Sequence, residues 1–364
     1  MEPIDRLSQA LRDRALTLHR DAVVINALDS TRIAQGDEVY VQKLKRSGVT
    51  AINHTVAATE GMVEAMQSIV DWWRVYQRFL AEIIVGRTFD DILRAKHEGK
   101  VAVFFGFQDT APMEGHMQMF EIYHALGIRF VQLTYQRRNL VGDGCGERTN
   151  AGLSKFGVAV VKELNRLGMV IDLSHVGVQT TLDTIELSEH PATVTHSGVR
   201  ALCETVRNKT DEEIKALAAR GGVIGIPPKS GFLKPDGLKT GTTIDDYLNH
   251  IDYVVTLVGV DHVGVGTDVG DERKYTRDRM AQFNQKYPEV AIIDENLRTD
   301  VMHTEELQSP GTLYNITAGL VARGYSDEDV RKIIGGNFLR VFEQVWGNGD
   351  VAEPAATQLT GQRR

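Results

Sequence analysis

Short runs rich in Val, Ile, Ala and Gly recur along the chain, each followed by a stretch with the character of an amphipathic helix. Eight such runs stand out: Ala22–Asn26, Val49–Thr55, Val101–Gly106, Arg129–Thr134, Met169–Ser174, Ala192–His196, Gly222–Ile226 and His262–Thr267. Nearly continuous apolar character is what a parallel strand covered on both faces requires, and alternation of such strands with helices predicts an α/β fold with crossover connections. Eight repeats predict closure into a (β/α)8 TIM barrel.

Helix start signals support the alternation. Thr210-Asp211-Glu212-Glu213 and Ser326-Asp327-Glu328-Asp329 each place a hydroxyl three residues before an acid, the pattern in which side chain and backbone cap one another. The stretch from Gly61 to Leu80, with Trp72 and Trp73, has apolar residues at helical spacing and is read as core packing rather than as a binding surface. Between the eighth run and the last helix, Gly270 to Ser309 is polar and carries Tyr275, Phe283 and Tyr287. In a barrel this segment leaves the C-terminal face, so it reads either as a lid or as a solvated excursion.

At 364 residues and 42% hydrophobic content, the chain suffices for one large barrel or two smaller domains. No Gly-Ser linker or internal repeat breaks the series, so a single domain over residues 1–364 is expected. It carries a short N-terminal helical extension, a lid-like insertion near 270–309 and a polar C-terminal tail. A net charge of −8 with scattered basic residues excludes a nucleic-acid partner, whose phosphates need a clustered basic face, and favours a small-molecule substrate. The first 21 residues lack the apolar stretch of a secretory signal, and no run approaches membrane-spanning length. The expectation is a cytoplasmic protein with no membrane partner; a homo-oligomer is compatible with the sequence. The two cysteines, Cys145 and Cys203, suggest neither a disulfide framework nor a cysteine-rich zinc site.

In such a barrel, catalytic groups project from the C-terminal ends of the strands. His175 and His196 end two successive runs. Either alone is more often a hydrogen-bonded structural histidine, but at neighbouring strand tops they converge, and imidazole is the preferred nitrogen ligand of zinc. Asp268 ends the last run, where a carboxylate binds a metal, deprotonates a water or caps a loop. Arg207, in the loop after His196, suits a bidentate grip on a substrate carboxylate, with a surface ion pair as the alternative.

These residues sit in a set of motifs that resembles the membrane (renal) dipeptidase family, peptidase family M19. The resemblance rests on Gly152-Leu153-Ser154-Lys155-Phe156-Gly157 through Gly168, Ile171-Asp172-Leu173-Ser174-His175, Thr195-His196-Ser197, Arg207-Asn208, Gly264-Val265-Gly266-Thr267-Asp268 and Gly335-Gly336-Asn337-Phe338. It implies a metal-dependent hydrolase barrel whose two zinc ions hold a hydroxide that attacks the peptide bond of a dipeptide. By position, His175 and His196 match two ligands of one metal, Arg207 the binder of the substrate carboxylate, and Asp268 the proton-transfer acid.

Four positions depart from the family pattern. Where its first strand ends Asp-Gly-His-Asn-Asp, this chain reads Asn26-Ala27-Leu28-Asp29-Ser30, and leucine cannot bind zinc. The bridging glutamate is replaced by Gln108, and the carbonyl-polarising histidine of the fourth strand by Tyr135. What remains reads as a two-histidine, one-carboxylate set, His175, His196 and Asp268, for one divalent ion, zinc in the first instance, with Gln108 as a fourth contact. One ion is expected rather than two, or none. Tyr135 and Gln108, together with Arg207, are the expected substrate-binding residues. The expected function is hydrolysis of a dipeptide or other small amide with a free carboxylate. The alternatives are a one-metal or metal-free lyase, isomerase or hydrolase of a small carboxylate metabolite, and a non-catalytic descendant that binds a small molecule or a partner.

Overall fold

The computed structural model describes residues 3–271, 273, 276–288 and 301–347. Its strands, in chain order, are β1 Ile25–Asp29, β2 Ala51–Ala57, β3 Ile83–Val85, β4 Val101–Phe107, β5 Ile128–Gln132, β6 Val170–Asp172, β7 Thr193–Val194, β8 Val223–Ile226 and β9 Val263–Val265. Eight of them run in the order β1-β2-β4-β5-β6-β7-β8-β9, neighbours parallel, with helices between: the nearly closed (β/α)8 barrel the patterning predicts.

Strand edges and the number of strands differ from the sequence reading. The first strand begins at Ile25, three residues later than expected, because its partner β2 begins at Ala51 and the ladder starts with Ile25 against Ala51. Leu28 and Asp29 are therefore strand residues. The additional strand, β3, has only three residues, too few to show a period. It pairs with Val101–Val103 of β4, whereas β5 joins β4 only from Phe105 onward. It thus covers the stretch of β4 edge that would otherwise be left open.

The seam between β1 and β9 is closed largely by side chains. Asn26 Oδ1 accepts from Thr267 N at 2.8 Å, Ser30 Oγ donates to Asp268 O at 3.0 Å, and Asp268 N donates to Leu28 O at 3.0 Å. Close approach here needs glycine: a Cβ on Gly266 would lie 1.6 Å from Thr195 O. At the opposite end the final helix, Asn337–Trp346, plugs the barrel. Phe338, Val341, Phe342 and Val345 pack on Ile25, Ala51, Phe104, Phe130 and Val170, and Phe104 stacks on Trp346 with ring centroids 4.9 Å apart. The other buried cluster lies between the outward strand faces and the surrounding helices, and includes Ile52, Val103, Val131, Ile171, Val194 and Ile224.

Among the described residues no helix is long and apolar enough to cross a membrane. Helix Arg277–Lys286 of the 270–309 insertion rests on the barrel mouth: Lys286 Nζ donates to Thr59 Oγ1 at 3.0 Å and Arg137 donates to Lys286 O at 2.7 Å. Tyr275 and the tail from Val351 to Arg364 lie outside the described residues.

Buried neutral histidines give the fold an acid limit. His250 accepts from Val199 N at 2.9 Å and sits 2.9 Å from Leu233 O, and burial lowers its pKa from 6.5 to about 4. His124 is lowered to about 4 by burial and by Arg129, Arg87 and Arg166. The unfolded chain protonates these groups near pH 6.5 and the native chain only near pH 4, so stability is lost as pH falls through that window. For His250 alone the full effect is roughly 3 kcal/mol. Asp109 acts in the opposite sense: burial raises its pKa from 3.8 to about 6, so its contribution shrinks as pH rises across the same range. The histidines outnumber it. Urea unfolding should therefore give a lower midpoint at pH 5 than at pH 7, with a shallower pH slope in His250→Gln.

Candidate functional site

A pocket of about 200 Å³ opens at the C-terminal ends of the strands, lined by Ser30, Gln108, Tyr135, His175, Arg207, Lys229 and Asp268 among others. The insertion reaches it through Arg279 and Phe283. All six residues singled out from the sequence, His175, His196, Arg207, Asp268, Gln108 and Tyr135, come to this end of the barrel. Their contacts differ from those of a metal cage.

His175 and His196 follow β6 and β7 and face one another, Nε2 to Nε2, at 2.9 Å. A buried network sets their protons. Asp172, the last residue of β6, accepts at Oδ1 from Ser174 N and Oγ and from Thr195 N, and at Oδ2 from Thr195 Oγ1 at 2.7 Å. Thr195 has thus given its only hydroxyl proton to the carboxylate, so its 2.8 Å contact with His196 Nδ1 requires a proton on that nitrogen. His196 Nε2 is then a lone pair, and His175 Nε2–H donates to it. Burial keeps both rings neutral: His196 falls to about 4, and His175 is held well below its ordinary value by burial and then by Arg207 and His196.

Asp268 adopts a left-handed backbone, φ 48°, rare for a residue with a side chain and concentrated at functional sites. Its Oδ2 lies 3.1 Å from Lys229 Nζ, in the loop after β8. The sequence carries no signal for Lys229. It follows Pro227-Pro228, which end the strand, and no residue type at that point signals chemistry. Its backbone is fixed by an antiparallel bridge to His303, and its Nζ lies 3.4 Å from His303 Nε2. His303 is buried beside the pocket.

Arg207 is 1% exposed. It donates to Ser174 O at 2.5 Å and contacts His196 O at 3.5 Å, tying together the two loops that carry the histidines, while its guanidinium carbon lies 5.0 Å from the Phe232 ring centre. Its Nε has no hydrogen-bond partner among the described residues. Tyr135 stacks on His175, ring centroids 4.2 Å apart, and burial raises its phenol far above the usual range. Gln108 Nε2 donates to Thr55 Oγ1 at 2.8 Å. Leu28 is buried, and Ser30 serves the barrel seam.

A divalent ion is the cofactor that the family resemblance implies. Among the described residues no group of three His, Cys, Asp or Glu side chains is arranged to hold a metal. The two imidazoles converge, but a ligating histidine normally donates its other N–H to a fixed acceptor, and His175 Nδ1 is buried with no partner among the described residues. The carboxylate that would complete the set sits on Lys229. The two-ion centre lacks its donors at Leu28, Ser30 and Gln108, and the one-ion set is not assembled. The residues present do not fit the ion.

A profile of the membrane dipeptidase family, peptidase family M19, matches residues 10–290 and 299–354. "Dipeptidase tcpJ" of Claviceps purpurea (strain 20.1) is 27% identical over 328 residues, covering 87% of this chain and 69% of that protein. Among solved structures, an amidohydrolase from Pseudomonas aeruginosa is 34% identical with a TM-score of 0.83, covering 92% of this chain and 99% of that one. A Rhodobacter sphaeroides metallo peptidase, liganded with a phosphinate mimic of the dipeptide L-Ala-D-Ala, shares the fold at 18% identity and a TM-score of 0.75, covering 89% and 99%. By its barrel, by its ordered motifs and by the profile that spans most of its length, this chain belongs to the membrane dipeptidase family of hydrolases.

Proposed function

We propose that the protein is a dipeptidase-like hydrolase that cleaves a dipeptide or another small amide with a free carboxylate, bound at the barrel mouth with that carboxylate against Arg207. The observation that carries this reading is Arg207 itself: a cation only 1% exposed, lining the pocket, with an unpartnered Nε and no ion-paired carboxylate among the described residues. A buried guanidinium without a counter-ion is costly, and a carboxylate arriving with the substrate offsets that cost.

With the carboxylate so placed, the adjoining amide lies over His175, His196 and Asp268. Asp268 takes a proton from the attacking water, the water oxygen bonds to the carbonyl carbon, and the C–N bond breaks as the proton passes to the leaving amine. Neutral His175 and His196, bonded to one another through Nε2, form a polar, uncharged wall beside this path. Tyr135 and Phe283 supply apolar walls for the substrate side chain. The Claviceps purpurea relative named a dipeptidase and the family profile support the reaction class.

Turnover of a panel of dipeptides and N-acyl amino acids, each paired with its C-terminal amide, tests the proposal. Free acids should be cleaved, and amidation should lower kcat/KM by about 100-fold or more, the scale of a lost buried ionic hydrogen bond. A panel in which no free acid is turned over, or in which amides are equally good, would rule the reading out.

A further inference from the structure

The mismatch between this donor set and a metal ion has a structural cause in Lys229. We propose that Lys229 is the resident cation of the barrel mouth: its ammonium takes the place beside Asp268 that a divalent ion would need, and the site works without a tightly bound metal.

Three observations carry this. First, Lys229 Nζ is 3.1 Å from Asp268 Oδ2, both side chains are largely buried, at 11% and 17% exposed, and both line the pocket. A divalent ion held by Asp268, His175 and His196 would stand against that ammonium in a poorly solvated space, where like charges repel strongly. Secondly, the backbone that carries the lysine is held in place. Its backbone bridges His303, flanked by bonds from Thr304 N to Pro228 O at 2.8 Å and Ser230 N to Met302 O at 3.0 Å, and Nζ has His303 Nε2 as a second neighbour. Thirdly, the charge pattern is consistent across the site. The positions at which the family places an aspartate and a glutamate are Ser30 and Gln108, both neutral and both engaged elsewhere, Ser30 with Asp268 O and Gln108 with Thr55. Arg207 and Lys229 line the same pocket as Asp268, so an added divalent ion would enter a space that already holds two buried cations.

Lys229 then does two things. It holds the Asp268 carboxylate in its left-handed backbone setting, and it presents a charged N–H donor to an amide oxygen that gains negative charge as water adds. This role rests on the hydrolytic reading above. The cation assignment does not, and its test needs no substrate.

The test is calorimetric titration of the full chain with zinc alone, after expression in zinc-supplemented medium and purification without chelator, with metal content measured by mass spectrometry. Wild type is expected to carry well under 0.5 equivalents and to show no site tighter than about 10 μM, where structural and catalytic zinc sites bind far more tightly. Lys229→Met, which removes the charge but keeps the stem, should release Asp268 and bind one zinc at least 100-fold more tightly. Lys229→Arg, which keeps the charge, should not. His196→Ala in the Lys229→Met background should abolish the gain. Stoichiometric, submicromolar zinc in wild type that disappears in His196→Ala would overturn the proposal, as would a folded Lys229→Met with no gain. If Lys229→Met does not fold, the wild-type titration and Lys229→Arg still decide. Failure of the dipeptide panel with the zinc results as expected would overturn the substrate reading and leave the cation in place.

Discussion

Arg207→Met should lower kcat/KM for a free-acid substrate by about 100- to 1,000-fold, mostly through KM, while leaving the much weaker turnover of the matching amide nearly unchanged. The magnitude follows from removing one partner of a desolvated ionic contact, about 3 to 4 kcal/mol. The pairing of variant and substrate matters because Arg207 also bonds the backbone at Ser174 and contacts that at His196. Loss of those backbone contacts would slow acid and amide alike by displacing the histidines. Loss of carboxylate binding affects the acid alone. Equal losses on both substrates would make Arg207 a positioning residue and remove the main support for the proposed substrate class. Lys at this position should recover only part of the loss, since an ammonium at the end of a flexible stem cannot both grip a carboxylate and bridge the two strand ends.

Asp172→Asn should give the largest structural effect of a single isosteric change at the barrel mouth. The carboxylate is 2% exposed and accepts four hydrogen bonds, from Ser174 N, Ser174 Oγ, Thr195 N and Thr195 Oγ1. An amide has one acceptor oxygen, so its NH2 must face a donor. Leaving one such buried group unsatisfied costs about 3 kcal/mol, readable as a lower urea midpoint at unchanged m-value. The catalytic consequence is separate. If the amide N–H displaces the Thr195 hydroxyl proton, that proton turns to His196 Nδ1 and the ring must carry its own proton on Nε2, facing the proton of His175. Rates should fall by about 1,000-fold or more, the scale seen when a carboxylate that fixes a histidine tautomer is neutralised. Nitrogen-detected NMR of the two rings would show the tautomer change. An unchanged His196 tautomer with near-normal kcat would show that Asp172 acts on folding only.

Much of this molecule is legible in one dimension. The eight runs are nearly continuous in Val, Ile, Ala and Gly because each barrel strand is covered on both faces, so their existence and order can be read without knowing the pairings. Their edges are less legible: Ile25, not Ala22, starts β1 because a strand begins where its neighbour can pair, a property of two segments. Ile83–Val85 is illegible for the same reason, since three residues become a strand only when Val101–Val103 stands beside them.

The site divides along the same line. His175, His196, Arg207 and Asp268 were found because strand ends are where barrel chemistry resides and because the surrounding motifs resemble a known family. Leu28, Ser30, Gln108 and Tyr135 showed as departures from that family for the same reason. Lys229 and His303 were not found. Nothing near Pro227-Pro228 marks a lysine as a partner for Asp268, which follows the next strand, and nothing local to His303 shows that its backbone bridges that lysine.

Sequence by itself thus determined the barrel, the family and the list of polar groups at its mouth, because burial periodicity and strand-end position are local properties. Only the tertiary structure decided how those groups spend their charges. Two imidazoles share one proton line, a threonine and an aspartate set its direction, and a lysine from the adjoining loop occupies the carboxylate that the sequence offered to a metal. Ion pairing and proton placement depend on distances of a few ångströms between residues far apart in the chain, and folding alone sets those distances.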